Sequence, residues 1–192
     1  MRHGFLLIDK PVGPTSHDIV HALRKSLGEA HVGHLGTLDP AASGLLVLAI
    51  GSKALKVIEF FNNLPKQYEA EITFGVVSTT FDREGTLEIV EPKPGWEPPE
   101  LPKLRMLLQE RFVGTVSQVP PAFSAVHVDG KRAHELARKG EIPQLAPRSV
   151  QISDCTILDY AYPHLRLHVG CGSGTYIRSL AHDLGQMLRC GG

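Results

Sequence analysis

Cysteine, long apolar runs and net charge are all scarce in this chain, and each shortage removes a class of protein. The three cysteines, Cys155, Cys171 and Cys190, are odd in number and show no Cys-x-x-Cys spacing. We therefore expect reduced thiols rather than a disulfide framework or a zinc site. No run approaches the roughly 18 apolar residues that a membrane span requires, and the run at 5–8 is too short for a signal peptide. These absences predict a cytoplasmic protein.

The net charge is zero, with 20 basic and 20 acidic residues, and the ten histidines show no metal-binding spacing. A nucleic-acid-binding protein usually carries a basic footprint, so the overall charge leaves the partner open. The distribution is uneven: residues 60–100 hold three basic and eight acidic groups, whereas residues 101–192 hold eleven and seven. This asymmetry is compatible with a local basic face in the second half of the chain.

Strand-like and helix-like patterns are intermixed along the 192 residues, which suffice for one well-packed domain. Strands are predicted at 4–8, 44–50, 68–76, 123–128, 148–160 and 165–170. Helices are predicted from an N-cap at Ser16 to Gly28, from an N-cap at Ser52 to Phe61, at 101–112 and 131–139, and around Leu180, Leu184 and Leu188. Because hairpins outnumber strand–helix–strand repeats, we expect an α+β fold with a mixed, largely antiparallel sheet and flanking helices.

A glycine-rich segment, Gly-His-Leu-Gly-Thr-Leu-Asp-Pro at 33–40, places one carboxylate, Asp39, shortly before the apolar run Gly44–Ile50. A loop held by a buried strand keeps its side chains in fixed directions, as a catalytic group requires. Asp-Pro is also a common turn, so Asp39 alone does not establish a site. The segment lacks the signatures of a P-loop and of a dinucleotide-binding turn. No Gly-x-Ser-x-Gly nucleophile is present, and Cys171 falls in a predicted buried strand.

A second glycine-rich segment, residues 172–178, contains Tyr176 and Arg178. On an extended backbone these two side chains project to the same side. Arg178 is suited to pair with a buried carboxylate through bidentate hydrogen bonds. Taken one by one, a local salt bridge and core packing explain the two residues more simply.

These two segments and three others resemble the motifs of the TruB-type pseudouridine synthases. The pattern Gly33-His34-x-Gly36-x-Leu38-Asp39-Pro40-x-Ala42-x-Gly44-x-Leu46 is similar to the family's catalytic motif. The other matches are Leu7-Ile8-Asp9-Lys10-Pro11-x-Gly13-x-Thr15-Ser16, Lys66-x-Tyr68, Pro121-x-x-Ser124-Ala125 with Gly130-Lys131-Arg132 and Ala137-Arg138-x-Gly140, and Gly174-Thr175-Tyr176-Ile177-Arg178. Five ordered matches are far more specific than any single one.

The resemblance implies a pseudouridine synthase fold and an enzyme that converts the T-loop uridine of tRNA, position 55, to pseudouridine. Asp39 would be the nucleophile and Arg178 would hold it ionised and oriented. Tyr68 would stack on the flipped-out base, and His34 would occupy the vacated space. Lys10, Tyr176 and Asp82 would complete the substrate site. Phosphate contacts to the T-arm would come from Lys131, Arg132, Arg138 and Lys139. No metal, cofactor, membrane or protein partner is expected.

The chain departs from the family pattern at positions that would lie near RNA. Phe123, His127, His134 and Ser173 stand where tyrosine, lysine, an aromatic residue and lysine are common, which would lower RNA affinity. Relatives continue beyond the position of Gly192, so we expect residues 1–192 to be a C-terminally incomplete catalytic domain without the PUA-type RNA-binding domain. Two alternatives stay open: a catalytically impaired module that binds or remodels tRNA, and the RNA-guided branch of the family.

Overall fold

The computed structural model describes residues 3–61, 63–128 and 130–192, which form two compact units. The first unit extends to Leu64 and the second begins at Pro65. Each unit has its own hydrophobic core, built on its own antiparallel sheet. None of the described helices is long and apolar enough to cross a membrane.

The first unit is a three-stranded antiparallel sheet packed against a helix. Its elements are β1 (Gly4–Lys10), α1 (Ser16–Leu27), β2 (Val32–Leu35), β3 (Gly44–Ile50), α2 (Gly51–Leu55) and a 3₁₀ helix (Ile58–Phe61). The sheet order is β1-β3-β2, so β3 is paired on both sides. Leu46, Leu48 and Ala49 of this strand are buried, whereas Leu45 is exposed. Leu46 and Leu48 of β3 pack with Val20 of α1 in the core.

Both predicted helix N-caps in this unit are wrong. The N-cap of α1 is Thr15, whose hydroxyl accepts the Asp18 N–H at 3.1 Å while the Asp18 carboxylate accepts the Thr15 N–H at 2.8 Å. This reciprocal pair is a capping box, and it leaves the Ser16 hydroxyl available for other contacts. The helix predicted to run from Ser52 to Phe61 is divided into α2 and the 3₁₀ helix. The β-branched and aromatic residues after Lys56 disfavour a continuous helix.

The second unit is built on a four-stranded antiparallel sheet of order β4-β11-β10-β7. Its elements are β4 (Lys66–Thr73), β5 (Val76–Ser78), β6 (Leu87–Ile89), α3 (Leu101–Arg111), β7 (Gly114–Gln118), β8 (His127–Val128), β9 (Lys131–Arg132), α4 (Ala133–Ala137), β10 (Arg148–Ala161), β11 (His164–Cys171) and α5 (Ile177–Leu188). The alternation predicted from Tyr68 is confirmed, since Ala70 and Ile72 are buried while Glu69 and Glu71 are exposed.

The long hairpin and the final helix hold the core of the second unit together. β10 and β11 pair antiparallel over most of their length, which confirms the predicted hairpin. Leu180 and Leu184 of α5 are fully buried in the same core as Leu104 and Leu108 of α3. All the strand pairings among the described residues are antiparallel. The predicted α+β class with largely antiparallel sheets and flanking helices is therefore confirmed.

Residues 121–140 differ from the prediction. Of the strand predicted at 123–128 only β8 forms, and the helix predicted at 131–139 is divided into β9 and the short α4. The Ser124 carbonyl accepts the backbone N–H of His134 at 3.1 Å, and the Val126 carbonyl accepts that of Ala133 at 2.7 Å. These contacts use backbone groups that a longer strand would pair elsewhere. Asp129, in the predicted turn, lies outside the described residues.

Candidate active site

Asp39 lies in a tight turn of the first unit, between β2 and β3. Its carbonyl oxygen accepts the Ala42 N–H at 3.0 Å, so residues 39–42 close a turn with Pro40 in the second position. The residue is half-buried. The ordinary interpretation of Asp-Pro as a turn is thus correct, and Asp39 is a half-buried residue of that turn.

Residues 13–16 hold this turn on both sides of Asp39. The Ser16 hydroxyl donates to the Leu38 carbonyl and accepts the Leu38 N–H, each at 2.9 Å. The Gly13 N–H donates to the Pro40 carbonyl, also at 2.9 Å. The sequence indicated Ser16 as a helix cap and as part of a family motif, but not its contact with Leu38, because hydrogen bonds across 22 residues leave no local pattern.

Lys10 shapes the segment that precedes these contacts. Its side chain is fully buried, and its ammonium group donates to the carbonyls of Pro11 and Pro14, each at 2.9 Å. A buried cation needs such polar partners. Both hydrogen bonds are to backbone carbonyls, and they stabilise the conformation of the segment between β1 and α1.

His34 lies in β2, half-buried, with its ring fixed by a local contact. Its Nδ1 lies 2.7 Å from the Gly36 carbonyl oxygen, which can only accept, so Nδ1 carries the proton. In the neutral ring Nε2 is then an acceptor. Gly36 adopts a positive φ of 83°, a conformation that glycine accepts without strain.

In the second unit, Arg178 contacts two backbone carbonyls and a carboxylate. Its guanidinium donates to the carbonyls of Thr80 at 3.0 Å and Phe123 at 3.2 Å, and lies 3.5 Å from Asp82 Oδ2. The side chains of Arg178 and Asp82 are both only 14% exposed. Asp82 is fixed in turn, because its Oδ1 accepts the Thr80 hydroxyl at 2.6 Å. The predicted residues Arg178 and Asp82 thus form one ion pair.

The backbone from Tyr176 to Arg178 is not extended throughout, so the two side chains are not related as on a strand. Tyr176 is extended, with φ −106° and ψ 110°, but α5 begins at Ile177 and Arg178 is helical. The Tyr176 backbone is held instead by Gln118, which donates to its carbonyl at 2.9 Å and accepts its N–H at 2.8 Å. Gln118, 2% exposed, was missed because a single Gln at a strand end carries no distinctive pattern.

The remaining predicted residues occupy different surroundings. Tyr68 lies in β4, half-buried against the core of the second unit. Lys131 and Arg132 in β9 and Arg138 and Lys139 after α4 are all on the surface segment that follows β8. The four basic residues therefore share one segment of residues 131–139, in which His134 Nδ1 contacts the Ser124 carbonyl at 3.0 Å.

Two of the four positions that depart from the family pattern make hydrogen bonds that involve a backbone carbonyl. Phe123 presents its carbonyl to Arg178, and His134 contacts the backbone of Ser124. His127 and Ser173 are exposed. Phe123 and His134 therefore take part in contacts that stabilise this part of the chain.

Cys155 and Cys171 are poorly suited to act as nucleophiles. Cys171 is buried at the end of β11, as predicted. Burial raises the pKa of the Cys171 thiol, and it raises the pKa of Cys155 to about 12. Neither thiol is therefore appreciably ionised near neutral pH.

Comparisons with known proteins agree with the motif resemblance. Residues 24–177 match the profile described as "TruB family pseudouridylate synthase (N terminal domain)". The tRNA pseudouridine synthase B of Gloeobacter violaceus is 45% identical over 98% of this chain, and that of Opitutus terrae is 39% identical over the same share. The chain spans 64% of the length of the first relative and 76% of the second.

A solved structure supports the same relationship at the level of the fold. The chain resembles one in the crystal structure of a Cbf5-Nop10-Gar1 complex, with a TM-score of 0.71 and 30% identity, over 98% of this chain and 45% of that one. A fold shared over nearly the whole chain, a family profile over 154 of its 192 residues (24 to 177) and the motif around Asp39, which resembles the family's catalytic motif, agree. This chain belongs to the TruB family of pseudouridylate synthases.

Proposed function

We propose that this chain is the catalytic part of an enzyme that isomerises uridine to pseudouridine in the T-loop of tRNA. Family membership supports the reaction, and the relatives named tRNA pseudouridine synthase B support the substrate. The observation that carries the proposal is Asp39: the carboxylate of the family motif lies half-buried in a turn whose neighbouring residues are hydrogen-bonded on both sides. Such fixed geometry suits a nucleophile.

In the proposed reaction, the ionised Asp39 adds covalently to the nucleoside and the bond between uracil N1 and C1′ of the ribose breaks. The freed uracil turns while still bound, its C5 forms the new bond to C1′, and the bond between Asp39 and the nucleoside breaks, which regenerates the carboxylate. C5 then loses its proton and N1 gains one, so product and substrate have the same composition. Because one carboxylate suffices for this sequence, the chemistry consumes no cofactor and calls for no metal.

We assign supporting roles to other residues of the family motifs. Tyr68 would stack on the flipped base and help to remove the C5 proton, and His34 would fill the space that the base leaves. Arg178 would stabilise negative charge during the reaction, with Asp82 as its positioning partner. The fixed guanidinium and the fixed imidazole support these assignments, since preorganised groups need no reordering when substrate binds.

Lys10 and Tyr176 are assigned supporting roles in the substrate site. Tyr176 has its backbone bound by Gln118 immediately before α5, which fixes the start of the helix that carries Arg178.

The partner would be the T-arm of tRNA, with phosphate contacts made by the basic segment of Lys131, Arg132, Arg138 and Lys139. Such contacts supply affinity and orientation, whereas the reacting uridine is selected by its fit to the site. We propose that residues 1–192 together provide the catalytic part of the protein.

The test is to incubate the purified chain with an unmodified tRNA transcript and to map pseudouridine by position. Asp39→Asn keeps the size of the side chain and removes its nucleophilic charge, so we expect modification at the T-loop uridine to vanish. Asp159→Asn, at an exposed carboxylate of β10, is the matched control and should retain the wild-type rate.

Two results would contradict the proposal. Equal activity in wild type and Asp39→Asn would remove Asp39 from the chemistry. Stable tRNA binding without modification by the wild-type chain would instead support the alternative of a tRNA-binding module without catalysis.

A further inference from the structure

The Ser16 hydroxyl is buried, and it is engaged with a distant part of the chain rather than with its own helix. Ser16 is 2% exposed and stands at the first position of α1. Its oxygen satisfies both backbone groups of Leu38, 22 residues away, at 2.9 Å each. The capping function that serine usually performs at this place belongs to Thr15. The hydroxyl of Ser16 is therefore not required to start the helix.

The contact matters because of where Leu38 stands. The Leu38 carbonyl belongs to the peptide plane immediately before Asp39, and the Asp39 carbonyl belongs to the plane immediately after it. Ser16 holds the first plane, and the Ala42 N–H holds the second at 3.0 Å. Two fixed peptide planes restrict both backbone dihedrals of the residue between them. Those dihedrals set the direction in which the Asp39 side chain leaves the backbone.

We infer that Ser16 is a positioning residue that sets the direction of the Asp39 carboxylate. The inference rests on the proposed function, in which Asp39 is the nucleophile. Residues 36–43 belong to neither β2 nor β3, so the sheet does not order them through its own ladder. Lys10 supports the same arrangement, because its buried ammonium group binds the carbonyls of Pro11 and Pro14 and so shapes the segment that leads to Ser16.

The expected effect on catalysis is large and selective. Displacing a reacting group by about 1 Å can cost roughly 10²-fold in rate. Ser16→Ala removes both hydrogen bonds to Leu38, so we expect the single-turnover rate of pseudouridine formation at saturating tRNA to fall by about 10- to 100-fold. The dissociation constant for tRNA should stay within about 2-fold, since Ser16 is buried and phosphate contacts dominate affinity.

The matched control is Thr15→Ala, at the neighbouring residue. It removes the capping box and destabilises α1 but leaves the Ser16–Leu38 contacts in place. Both variants and the wild type would be compared by single-turnover kinetics and tRNA binding. A second measurement does not depend on activity: NMR of the labelled chain would give the exchange rate of the Leu38 amide and the chemical shift of the Asp39 carboxyl carbon.

The inference predicts that Ser16→Ala, and not Thr15→Ala, lowers the rate, accelerates exchange at Leu38 and shifts the Asp39 carboxyl resonance. It is overturned if both variants react equally fast, or if neither NMR signal distinguishes them. If the wild-type chain modifies no tRNA, the proposed function fails separately. The NMR comparison then decides the inference alone, since an Asp39 resonance that moves only in Ser16→Ala supports it and an unmoved one refutes it.

Discussion

Gln118 offers the sharpest test of how the second unit is held together. This residue ends β7, is 2% exposed, and exchanges two hydrogen bonds of 2.8 and 2.9 Å with the backbone of Tyr176. Tyr176 immediately precedes α5, whose N-cap has no side-chain hydrogen bond of its own. Gln118 therefore ties the entry of the helix that carries Arg178 to the edge of the four-stranded sheet.

Gln118→Ala should destabilise this unit by about 2–4 kcal/mol. Each hydrogen bond contributes about 0.5–1.5 kcal/mol, and a buried backbone group left without a partner costs about 1–3 kcal/mol. The Tyr176 carbonyl still accepts the Leu180 N–H at 3.1 Å, so only the Tyr176 N–H loses its partner, and the low end of the second range, about 1 kcal/mol, applies. Gln118→Glu should be no more stable than the alanine variant near neutral pH, since its carboxylate would be buried beside the Tyr176 carbonyl with no hydrogen to donate to it.

The assay is urea unfolding followed by the fluorescence of Trp96, the single tryptophan of the chain. Trp96 packs against the core of the second unit and donates to the Leu188 carbonyl at 2.8 Å, so it reports on this unit. Gln151→Ala is the control: that side chain is exposed and bonds the Thr115 hydroxyl, so its removal should cost less than about 0.5 kcal/mol. Equal stability of the two alanine variants would refute the reasoning.

Three further outcomes are expected. Arg178→Lys should slow pseudouridine formation by about 10- to 100-fold in single-turnover assays, because one ammonium group cannot reproduce the planar guanidinium that contacts the Thr80 and Phe123 carbonyls and Asp82. His182→Phe should gain stability relative to wild type as the pH falls from about 8 to about 5, measured by urea unfolding. Burial lowers the pKa of His182 below its usual 6.5, so the unfolded chain binds the proton more readily than the folded chain. Phenylalanine replaces the imidazole with another aromatic ring that can stack on Phe81, whose ring centroid lies 3.9 Å from that of His182. Replacing the four basic residues by Gln should weaken the dependence of tRNA affinity on salt. The slope of log affinity against log salt concentration should become less negative by about 0.7–0.9 for each phosphate that is no longer neutralised. These residues are Lys131, Arg132, Arg138 and Lys139.

Each of these outcomes has a result that contradicts it. A wild-type rate in Arg178→Lys would show that charge alone suffices at this position. A constant stability difference between His182→Phe and wild type across the pH range would exclude the histidine as the source of the pH dependence. For the basic segment the control is Lys103→Gln with Arg105→Gln, on the exposed side of α3, and an equal change of slope in this control would contradict the assignment.

Local patterns in the sequence predicted much of the framework. The alternation in β4, the apolar run of β3 and the glycine that ends α1 depend on neighbours within a few residues. Gly28, for example, adopts the left-handed conformation with φ 62° that closes the helix, as its position predicted. Local patterns did not predict the structure of residues 121–140, where the Phe123 carbonyl bonds Arg178 and the Ser124 carbonyl bonds the His134 N–H.

In the candidate site, too, some features follow from the sequence and others only from the structure. The sequence alone determined which carboxylate to consider, because the glycine and proline spacing around Asp39 and four other ordered motifs identify the family. Only the tertiary structure shows which residues contact these segments: Ser16 bonds Leu38, Gln118 bonds Tyr176, and Thr80 and Asp82 contact Arg178. Such contacts join residues 22 to 98 positions apart, and they depend on packing that no local pattern encodes.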